Sequence, residues 1–524
     1  MALFKVPERA GRSADSAIAK RANSAKKSST TIRGGGGLVE RINTARAMTE
    51  KNLGKYREKY IVIQDIMTLV NYFDKVVENG IVSIDTETTG LDPILDSIVG
   101  FSIYTPGMKP AYVPLNHVSY VTGIKIENQL PVHLAKEQLD RLNEHNTKII
   151  MFNAPFDIRV IRNQVGSYLT CYWDGYLAAR LLNENEDTNS LKPLHQKYCT
   201  DGEGSASKFD DLFKGISFAL VPVPIAYLYA AHDAIITFEL YEFQEPYLNP
   251  ESDVCIERGL EDVAWVFHNI EMPIVSVVAD MEDIGVDFDM ALADELHTKY
   301  QAELEQKLQA VHNAIDMYSN EIEDYKLKNP GHKLSEPINL DSPTQIAILL
   351  YDIMKVGVID EKSPRGTGEK ILNQINNSFT QALLDYRGIG KLISTYIDKL
   401  PNCVNPKDGR IHCKFNQYGA DTGRFSSNDP NLQNSPSHNK DIRKMFKATD
   451  GYVLMSSDFS QQEQLDFVQV SRWCEVEVPS GFKYARDISV GDELLFDDKS
   501  IGCVRKVDYP VDKSQILLYY VIKW

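Results

Sequence analysis

The chain has 524 residues, 43% of them hydrophobic and 25% charged, which excludes wholesale disorder, a collagen-like chain and a disulfide scaffold and predicts roughly three domains. The formal net charge of −17 argues against a protein that coats nucleic acid, yet it allows an enzyme with local basic patches and acidic metal sites. No apolar run reaches the length of a membrane span, and seven cysteines without a C-x-x-C pair indicate free thiols in a reducing compartment such as the cytoplasm.

The amino-terminal segment departs from this average composition. Residues 1–50 hold ten lysines and arginines against four acidic residues, and they include four consecutive glycines at 34–37. This composition predicts a basic flexible arm over residues 1–55. A tail without a specific role and a transit peptide are the alternatives.

Residues 56–250 alternate short β-rich runs with helical stretches, which is the pattern of an α/β domain. Strands are predicted at 81–84, 100–104 and 148–152, and helical periodicity follows at 176–182. After residue 250 the pattern becomes helical, with one apolar stripe from Leu292 to Ile315. A mixed segment runs to residue 473, and the rest of the chain is again β-rich.

Carboxylates stand where the predicted elements of the α/β domain end. Asp85 and Glu87 are two positions apart on a predicted strand, so both side chains point to the same face. Asp157 follows another predicted strand, and Tyr229 and Asp233 lie on a predicted helix. Several carboxylates can hold two Mg²⁺ or Mn²⁺ ions about 4 Å apart, which would stabilise the attacking and leaving oxygens of phosphodiester hydrolysis. The alternative is that these are surface charges without a function.

The order of these motifs resembles the proofreading 3′→5′ exonuclease domain of family A DNA polymerases, which has an RNase H-like fold. Residues 84–88, 153–157 and 229–233 are similar to its three motifs, and residues 191–194 fit between the second and the third. The resemblance implies an active nuclease whose catalytic residues are Asp85, Glu87, Asp157, Tyr229 and Asp233, with the four carboxylates as metal ligands.

The following segment resembles the polymerase part of the same family. Residues 271–286, 339–345 and 385–401 are similar to its helical thumb, and residues 422–434 to the segment that meets the primer–template minor groove. Such contacts read the shape of the duplex rather than its sequence. A solvated basic face is the alternative. The resemblance implies DNA contacts from Arg424, Gln433, Asn434, Arg443 and Lys444.

Residues 453–463 resemble the first catalytic motif of the polymerase palm. The resemblance implies that Asp458 ligates the ions of nucleotidyl transfer and that Glu463 lies under the incoming sugar, where it disfavours ribonucleotides. Leu465 stands where the family usually carries an arginine, and neither the fingers helix nor the second palm carboxylate appears in the 66 residues after Asp458. We therefore expect a thumb and a truncated palm over residues 251–473, and no primer extension by this chain alone.

Residues 474–524 resemble the amino-terminal splicing region of an intein, a small all-β fold of the Hint type. Cys474 opens the segment, and a predicted hairpin and the sequence D-I-S-V-G-D-E-L at 487–494 follow. The resemblance implies that the Cys474 thiol attacks the carbonyl that precedes it. All eleven histidines come before Cys474, so the histidine block of an intein is missing. This predicts a split intein or an interrupted reading frame; a frameshifted extension and an unrelated β-domain are the alternatives.

Together these resemblances imply a multidomain protein of α/β and α domains: an exonuclease domain at 56–250, a thumb with a partial palm at 251–473, and an all-β intein fragment at 474–524. A partner chain would carry the other intein half, the fingers and the rest of the palm, and splicing in trans would give a whole DNA polymerase. DNA is the other expected partner, as a single-stranded 3′ end or a primer–template.

We expect a phage source, the host cytoplasm and no membrane. A non-enzymatic half-polymerase, a truncated fragment with exonuclease activity only, and a free-standing exonuclease of the RNase D type are the alternatives. Residues 422–434 and the Asp458 motif argue against the last of these.

Overall fold

The computed structural model describes residues 35–183, 185–186, 188–200, 208–419, 423–436 and 439–455, and the backbone of six strands between residues 466 and 523. The chain divides into two compact units, Met1–Asp450 and Gly451–Trp524. Among the described helices, none has both the length and the apolar character needed to cross a membrane.

A six-stranded sheet forms the centre of the first half of the larger unit. Its strands are Ile61–Val62 (β1), Ile81–Thr88 (β2), Ile98–Tyr104 (β3), Ala111–Pro114 (β4), Lys148–Met151 (β5) and Trp173–Asp174 (β6). The order is β1-β4-β3-β2-β5-β6; β3 is antiparallel to both of its neighbours, and the other pairs are parallel. Six of the seven residues of β3 are buried, because helices cover both faces of the sheet. The strands predicted near 81, 100 and 148 are confirmed.

Eight helices surround this sheet among the described residues. They are Gly35–Leu53 (α1), Ile66–Asn79 (α2), Val132–Glu144 (α3), Ala154–Val160 (α4), Gly175–Leu182 (α5), Leu191–Cys199 (α6), Phe209–Phe213 (α7) and Val223–Leu248 (α8). Helix α8 crosses β2 and β3 and buries 17 of its 26 residues. The hydroxyl of Ser83 on β2 donates a hydrogen bond of 2.7 Å to the carbonyl of Ala234, which fixes α8 on the sheet.

The prediction of a flexible arm is wrong for residues 35–55, which form helical structure. Helix α1 packs on α8 and buries the side chains of Ile42, Ala45, Thr49 and Leu53. These positions are three or four residues apart and therefore form one stripe on the helix. Burial of this stripe holds the segment in place despite its basic composition. Residues 1–34 lie outside the described residues.

The second half of the larger unit is mostly helical, as predicted. Its helices are Asp253–Arg258 (α9), Glu261–Val266 (α10), Met272–Ile284 (α11), Met290–Asp316 (α12), Ser319–Lys328 (α13), Pro343–Ala347 (α14), Glu369–Ile375 (α15), Ser378–Leu392 (α16) and Lys440–Lys444 (α17). The apolar stripe predicted from Leu292 to Ile315 lies on α12, which packs against α16 and buries Leu296, Tyr300 and Val311.

Short strands complete this half. They are Val286–Phe288 (β7), Arg410–Ile411 (β8), Lys414–Asn416 (β9), Ser426–Asn428 (β10) and Phe446–Lys447 (β11). Strands β11, β7 and β8 form one antiparallel sheet, and β9 pairs with β10.

A buried arginine joins the two halves of the larger unit. Arg159 on α4 is 4% exposed, and its Nη1 and Nε lie 2.5 Å from Glu282 Oε2 and 2.7 Å from Asp283 Oδ1. Glu282 also accepts a hydrogen bond of 2.6 Å from the backbone N–H of Phe415. This network fixes α4 against the end of α11 and the β9 hairpin.

The described residues of the smaller unit beyond residue 465 are all in strands. They are Asp466–Ser471 (β12), Glu475–Val478 (β13), Gly481–Tyr484 (β14), Glu493–Leu495 (β15), Ile501–Asp508 (β16) and Gln515–Lys523 (β17). The order β12-β17-β16-β15 makes an antiparallel sheet, and β13 and β14 form a hairpin. Strand β12, which the sequence analysis placed in the polymerase segment, pairs with β17. The Hint-type fold and the domain boundaries stay predictions.

Candidate functional site

Three carboxylates meet where strand β2 passes under helix α8. Asp85 and Glu87 are on the same face of β2, and Asp233 faces them from α8. One oxygen from each of the three lies within 4.8 Å of the other two. Asp85 is half-buried, while Glu87 and Asp233 are buried.

Gly100 on β3 is the cross-strand partner of Glu87. A Cβ atom at this position would lie 2.3 Å from the hydroxyl of Tyr112 and 2.6 Å from the carbonyl oxygen of Val113. Both atoms belong to the neighbouring strand β4, so only glycine allows β3 and β4 to pair closely beside the site.

Asp157 lies beside this cluster but is not one of its three members. Its Oδ1 accepts hydrogen bonds from the backbone N–H of Thr86 at 2.9 Å and from the Thr86 hydroxyl at 2.5 Å. The buried Asp174 caps the start of the helix that carries Asp157. Its carboxylate accepts hydrogen bonds from the backbone N–H groups of Asn153 at 2.9 Å and Ala154 at 2.8 Å. Sequence reasoning missed Asp174 and Thr86, because neither has a spacing that marks it.

Lys192 adds a positive charge to the cluster. Its Nζ lies 2.6 Å from Asp233 Oδ1 and 2.7 Å from Asp233 Oδ2, and 3.8 Å from the centre of the Tyr229 ring. The side chain is buried. Residues 191–194 resemble a stretch between the second and third motifs, but nothing in their spacing indicates that Lys192 contacts the site.

Burial raises the pKa values of the carboxylates of the site, and for Asp85 and Glu87 the neighbouring carboxylates add to the rise. Burial, together with the charges of Asp157 and Asp233, raises the pKa of Asp85 well above its usual range. Burial and Asp233 do the same to the pKa of Glu87. Burial also raises the pKa of Asp233, although Lys192 opposes this, and it raises the pKa of Asp157 to about 7 against the two Thr86 hydrogen bonds. The negative charge of these buried carboxylates is therefore not fully compensated by neighbouring positive charges.

The residues present fit a divalent cation. Oε1 of Glu87 is buried and accepts no hydrogen bond from any residue that the structure describes. A hard cation such as Mg²⁺ or Mn²⁺ prefers carboxylate oxygens, and its charge would relieve the repulsion between them.

Tyr229 lies one helical turn before Asp233 on α8, so both side chains are on the same side of the helix. Burial, with the charges of Asp233 and Glu87, raises the pKa of Tyr229 well above its usual range, so the hydroxyl keeps its proton at neutral pH. Phe209, Phe213 and Phe218 contact the ring at centroid distances of 5.6–6.1 Å and fix its orientation.

The side chains predicted to touch DNA lie at the surface of the second half. The residues found exposed are Arg424, Gln433, Asn434, Arg443 and Lys444. The buried hydroxyl of Ser427 shapes the loop, since it accepts the N–H groups of Leu432 at 3.2 Å and Gln433 at 3.3 Å.

Part of the positive charge on α17 is already compensated. Lys444 lies 3.1 Å from Asp441, and Lys299 lies 2.6 Å from the same carboxylate. These partners, Lys299 foremost, lower the pKa of Asp441 to about 2. Asp458, Glu463 and Cys474 lie outside the described residues.

Two protein-family models match the chain. Residues 60–249 match the model described as 3′-5′ exonuclease, and residues 299–472 match the model described as DNA polymerase family A.

The chain is also similar to curated DNA polymerases I. DNA polymerase I of Pseudomonas aeruginosa is 30% identical over 422 residues, which cover 77% of this chain and 42% of that protein. DNA polymerase I of Borreliella burgdorferi is 30% identical over 412 residues, which cover 77% of this chain and 41% of that protein. The thermostable DNA polymerase I of Thermus thermophilus is 35% identical over 214 residues, 39% of this chain and 24% of that protein. The chain thus spans less than half the length of the curated relatives it matches.

Among solved structures, the POL domain of Pol1 from M. smegmatis, in complex with DNA primer-template and dNTP, matches with a TM-score of 0.56 and 19% identity. The match covers 75% of this chain and 59% of that one, and it shows a shared fold. The chain therefore carries a segment that matches the 3′-5′ exonuclease family, at residues 60–249, and a segment that matches DNA polymerase family A, at residues 299–472, and it is similar to DNA polymerase I over 77% of its length.

Proposed function

We propose that residues 60–249 remove nucleotides from the 3′ end of DNA in a reaction that depends on divalent metal ions. The observation that carries the proposal is the cluster of Asp85, Glu87 and Asp233, whose oxygens lie within 4.8 Å of one another in a domain that matches the 3′-5′ exonuclease family. Single-stranded 3′ ends are the proposed substrate.

Asp85, Glu87 and Asp233 would hold Mg²⁺ or Mn²⁺, and Asp157 would complete a site for two ions. When bound, the ions supply charge stabilisation for the oxygens of the scissile phosphodiester. The chain's own groups would supply orientation: the protonated hydroxyl of Tyr229 would hold a water molecule near Asp233, and the hydrogen bonds from Thr86 would keep the carboxylate of Asp157 in place.

A degradation assay with a single-stranded oligonucleotide labelled at its 5′ end tests the proposal. With Mg²⁺ or Mn²⁺ the chain should shorten the strand from its 3′ end, and a chelator should stop it. The double variant Asp85→Ala, Glu87→Ala should lower the rate by about three orders of magnitude or more, because it removes metal ligands.

The matched control is Asp74→Ala, Glu78→Ala, which removes two exposed carboxylates from α2 of the same domain. It should keep the wild-type rate. If the Asp85, Glu87 double variant also keeps that rate, the assignment of the site is wrong.

For the second half we propose contact with the minor groove of a primer–template. The exposed side chains of the 423–436 loop and of α17 support it, since Arg424 and Arg443 offer charges to phosphates. Binding of a primer–template hairpin should weaken as salt rises. Arg424→Gln with Arg443→Gln should reduce the slope of log affinity against log salt by about 0.9 for each phosphate that the variant no longer neutralises. An unchanged salt dependence would contradict the proposal.

For residues 474–524 we propose a part in protein splicing, with Cys474 as nucleophile and a second polypeptide as partner. Two observations support it: the family A match ends at residue 472, and the hairpin of β13 and β14 follows Cys474 directly. Mixing the chain with a complementary intein half should join residues 1–473 to the partner's sequence.

In this mixture Cys474→Ala should abolish joining, whereas Cys503→Ala on β16 should not. Joining by the Cys474→Ala variant, read by mass spectrometry, would refute the assignment. A phage source and the cytoplasm stay predictions.

A further inference from the structure

The segment just before the exonuclease match adds a basic surface to an acidic protein. Residues 35–59 precede the matched residues 60–249, and they contain six lysines and arginines against three glutamates, in a chain of net charge −17. Helix α1 in this segment packs on α8, the helix that carries Tyr229 and Asp233. The segment is therefore fixed beside the proposed active site.

Three lysines of this segment are exposed and available. Lys51, Lys55 and Lys59 are spaced by four residues, and none makes an ion pair with any other residue in the described part of the chain. The nearby carboxylate of Glu50 is occupied by Arg57, which leaves Glu58 as the exposed acidic neighbour. The positive charges of these three lysines are therefore not neutralised by the described residues and can interact with an anionic partner.

An aromatic stack lies between these lysines. The ring of Tyr56 is 5.2 Å from that of Tyr60 with an interplanar angle of 7°, and 5.0 Å from that of His232 with an angle of 27°. The Nζ atoms of Lys55 and Lys59 lie 5.0 Å and 5.9 Å from the Tyr56 ring centre. Tyr56 itself is half-buried, so part of the ring is open to solvent.

The stack adjoins the active-site cluster. His232 is the residue before Asp233, and its Nδ1 is 2.8 Å from the hydroxyl of Tyr60. The ring of Tyr56 is thus linked through His232 to the backbone position next to Asp233.

We propose that Lys55, Tyr56 and Lys59 bind the single strand whose 3′ end enters the exonuclease site. Stacking of a base on an aromatic ring and attraction of phosphates by lysine are the two interactions that sequence-independent single-strand binding uses. The inference rests on the proposed exonuclease function, because the surface serves that substrate.

Binding of a fluorescent oligothymidylate of about 16 nucleotides, measured in EDTA so that no hydrolysis occurs, tests the surface. Lys55→Gln, Lys59→Gln should weaken binding at low salt and lower the slope of log Kd against log salt by about 1.4, which is about 0.7 for each phosphate that one lysine neutralises. Tyr56→Leu should weaken binding about tenfold, while Tyr56→Phe keeps it.

The matched control is Lys148→Gln. Lys148 also lies over a tyrosine, with its Nζ 4.5 Å from the Tyr172 ring centre, but it stands at the start of β5, away from Asp157 at the other end. It should bind the oligonucleotide as the wild type does.

A second measurement separates the surface from the active site. Thymidine 5′-monophosphate p-nitrophenyl ester contains a single nucleotide and cannot occupy both, so the surface variants should hydrolyse it at the wild-type rate with Mg²⁺ and act more slowly on the long strand at limiting concentration. Unchanged binding of the long strand, or an equal loss on both substrates, overturns the inference. If the wild type hydrolyses neither substrate, the proposed exonuclease function fails, and the binding measurement in EDTA still decides for or against the surface.

Discussion

At the scale of single residues, Lys192 puts a positive charge inside the cluster that we propose as the metal site. Its ammonium group touches both oxygens of Asp233 and so competes with a cation for that carboxylate. Two unit charges about 4 Å apart interact by about 4 kcal/mol at an effective dielectric constant of about 20. Lys192 is therefore expected to set the metal concentration at which the site fills.

Replacing Lys192 by methionine tests this competition. Lys192→Met should bind Mn²⁺ at least about tenfold more tightly, because the repulsion between the ammonium group and the ion is gone. Titration calorimetry in the absence of DNA gives the affinity. Lys136→Met, which removes a lysine that pairs with Asp140 on α3, should leave it unchanged. Equal or weaker Mn²⁺ binding by Lys192→Met would contradict the prediction.

Strand periodicity alone places Asp85 and Glu87 on one face, so their proximity follows from the sequence. The contact of Lys192 with Asp233 does not, because it depends on how α6 packs on α8. Thr86 shows the same limit, because nothing in its position along the strand indicates that its N–H and hydroxyl hold the carboxylate of Asp157.

At the scale of elements, the Arg159 network ties α4 to α11 through a buried ion pair. Burial raises the pKa of Glu282, whereas the charge of Arg159 lowers it, and the net effect is a rise. The loss of hydration therefore destabilises the charged carboxylate more than the attraction to Arg159 stabilises it. Removing one partner of such a pair leaves an uncompensated buried charge. A single substitution in this network should therefore lower the free energy of unfolding strongly, and a paired substitution of both partners should lower it less.

A double-mutant cycle measures this sensitivity. Arg159→Met and Glu282→Met should each lower the free energy of unfolding by about 3–5 kcal/mol, and the two substitutions together should lower it by much less than the sum of the two. Urea unfolding followed by circular dichroism gives the values. The exposed pair of Lys328 and Asp324 serves as control, and its removal should change little. Simple additivity of the Arg159 and Glu282 substitutions would refute the coupling.

Helix α1 shows why composition misled at this scale. The residues Leu38, Ile42, Ala45, Thr49 and Leu53 repeat every three or four positions, which is the signal of an amphipathic helix. The glycines at 34–37 and the basic side chains are typical of a flexible arm and conceal this helical periodicity. Helix α12 was predicted because its stripe is longer and its residues are larger.

At the scale of the whole molecule, two buried histidines couple folding to pH. Burial lowers the pKa of His117 to about 4 and that of His232 to about 3. Both are neutral in the folded chain, while an unfolded histidine takes up a proton near pH 6.5. Stability is therefore full above the unfolded pKa and falls as the pH drops below it, until the folded pKa is reached.

Between pH 7 and pH 5 each of these histidines should cost about 2 kcal/mol of unfolding free energy. His117→Gln removes one of the two groups, so its loss over this interval should be smaller than that of the wild type by about that amount. Urea unfolding at the two pH values measures both. His133→Gln on α3, which removes a histidine that is not buried, should behave as the wild type. An equal loss in His117→Gln and the wild type would contradict the prediction.

Helix α8 buries 17 of its 26 residues, and the sheet, α1 and α6 all pack against it. Residues 225–234 form an unbroken buried run, so their backbone amides should exchange hydrogen for deuterium only when the whole unit opens. Tyr229 and Asp233 thus stand on one of the slowest-exchanging segments of the chain. On heating, nuclease activity should then disappear at the temperature where α8 loses its protection, and not before it.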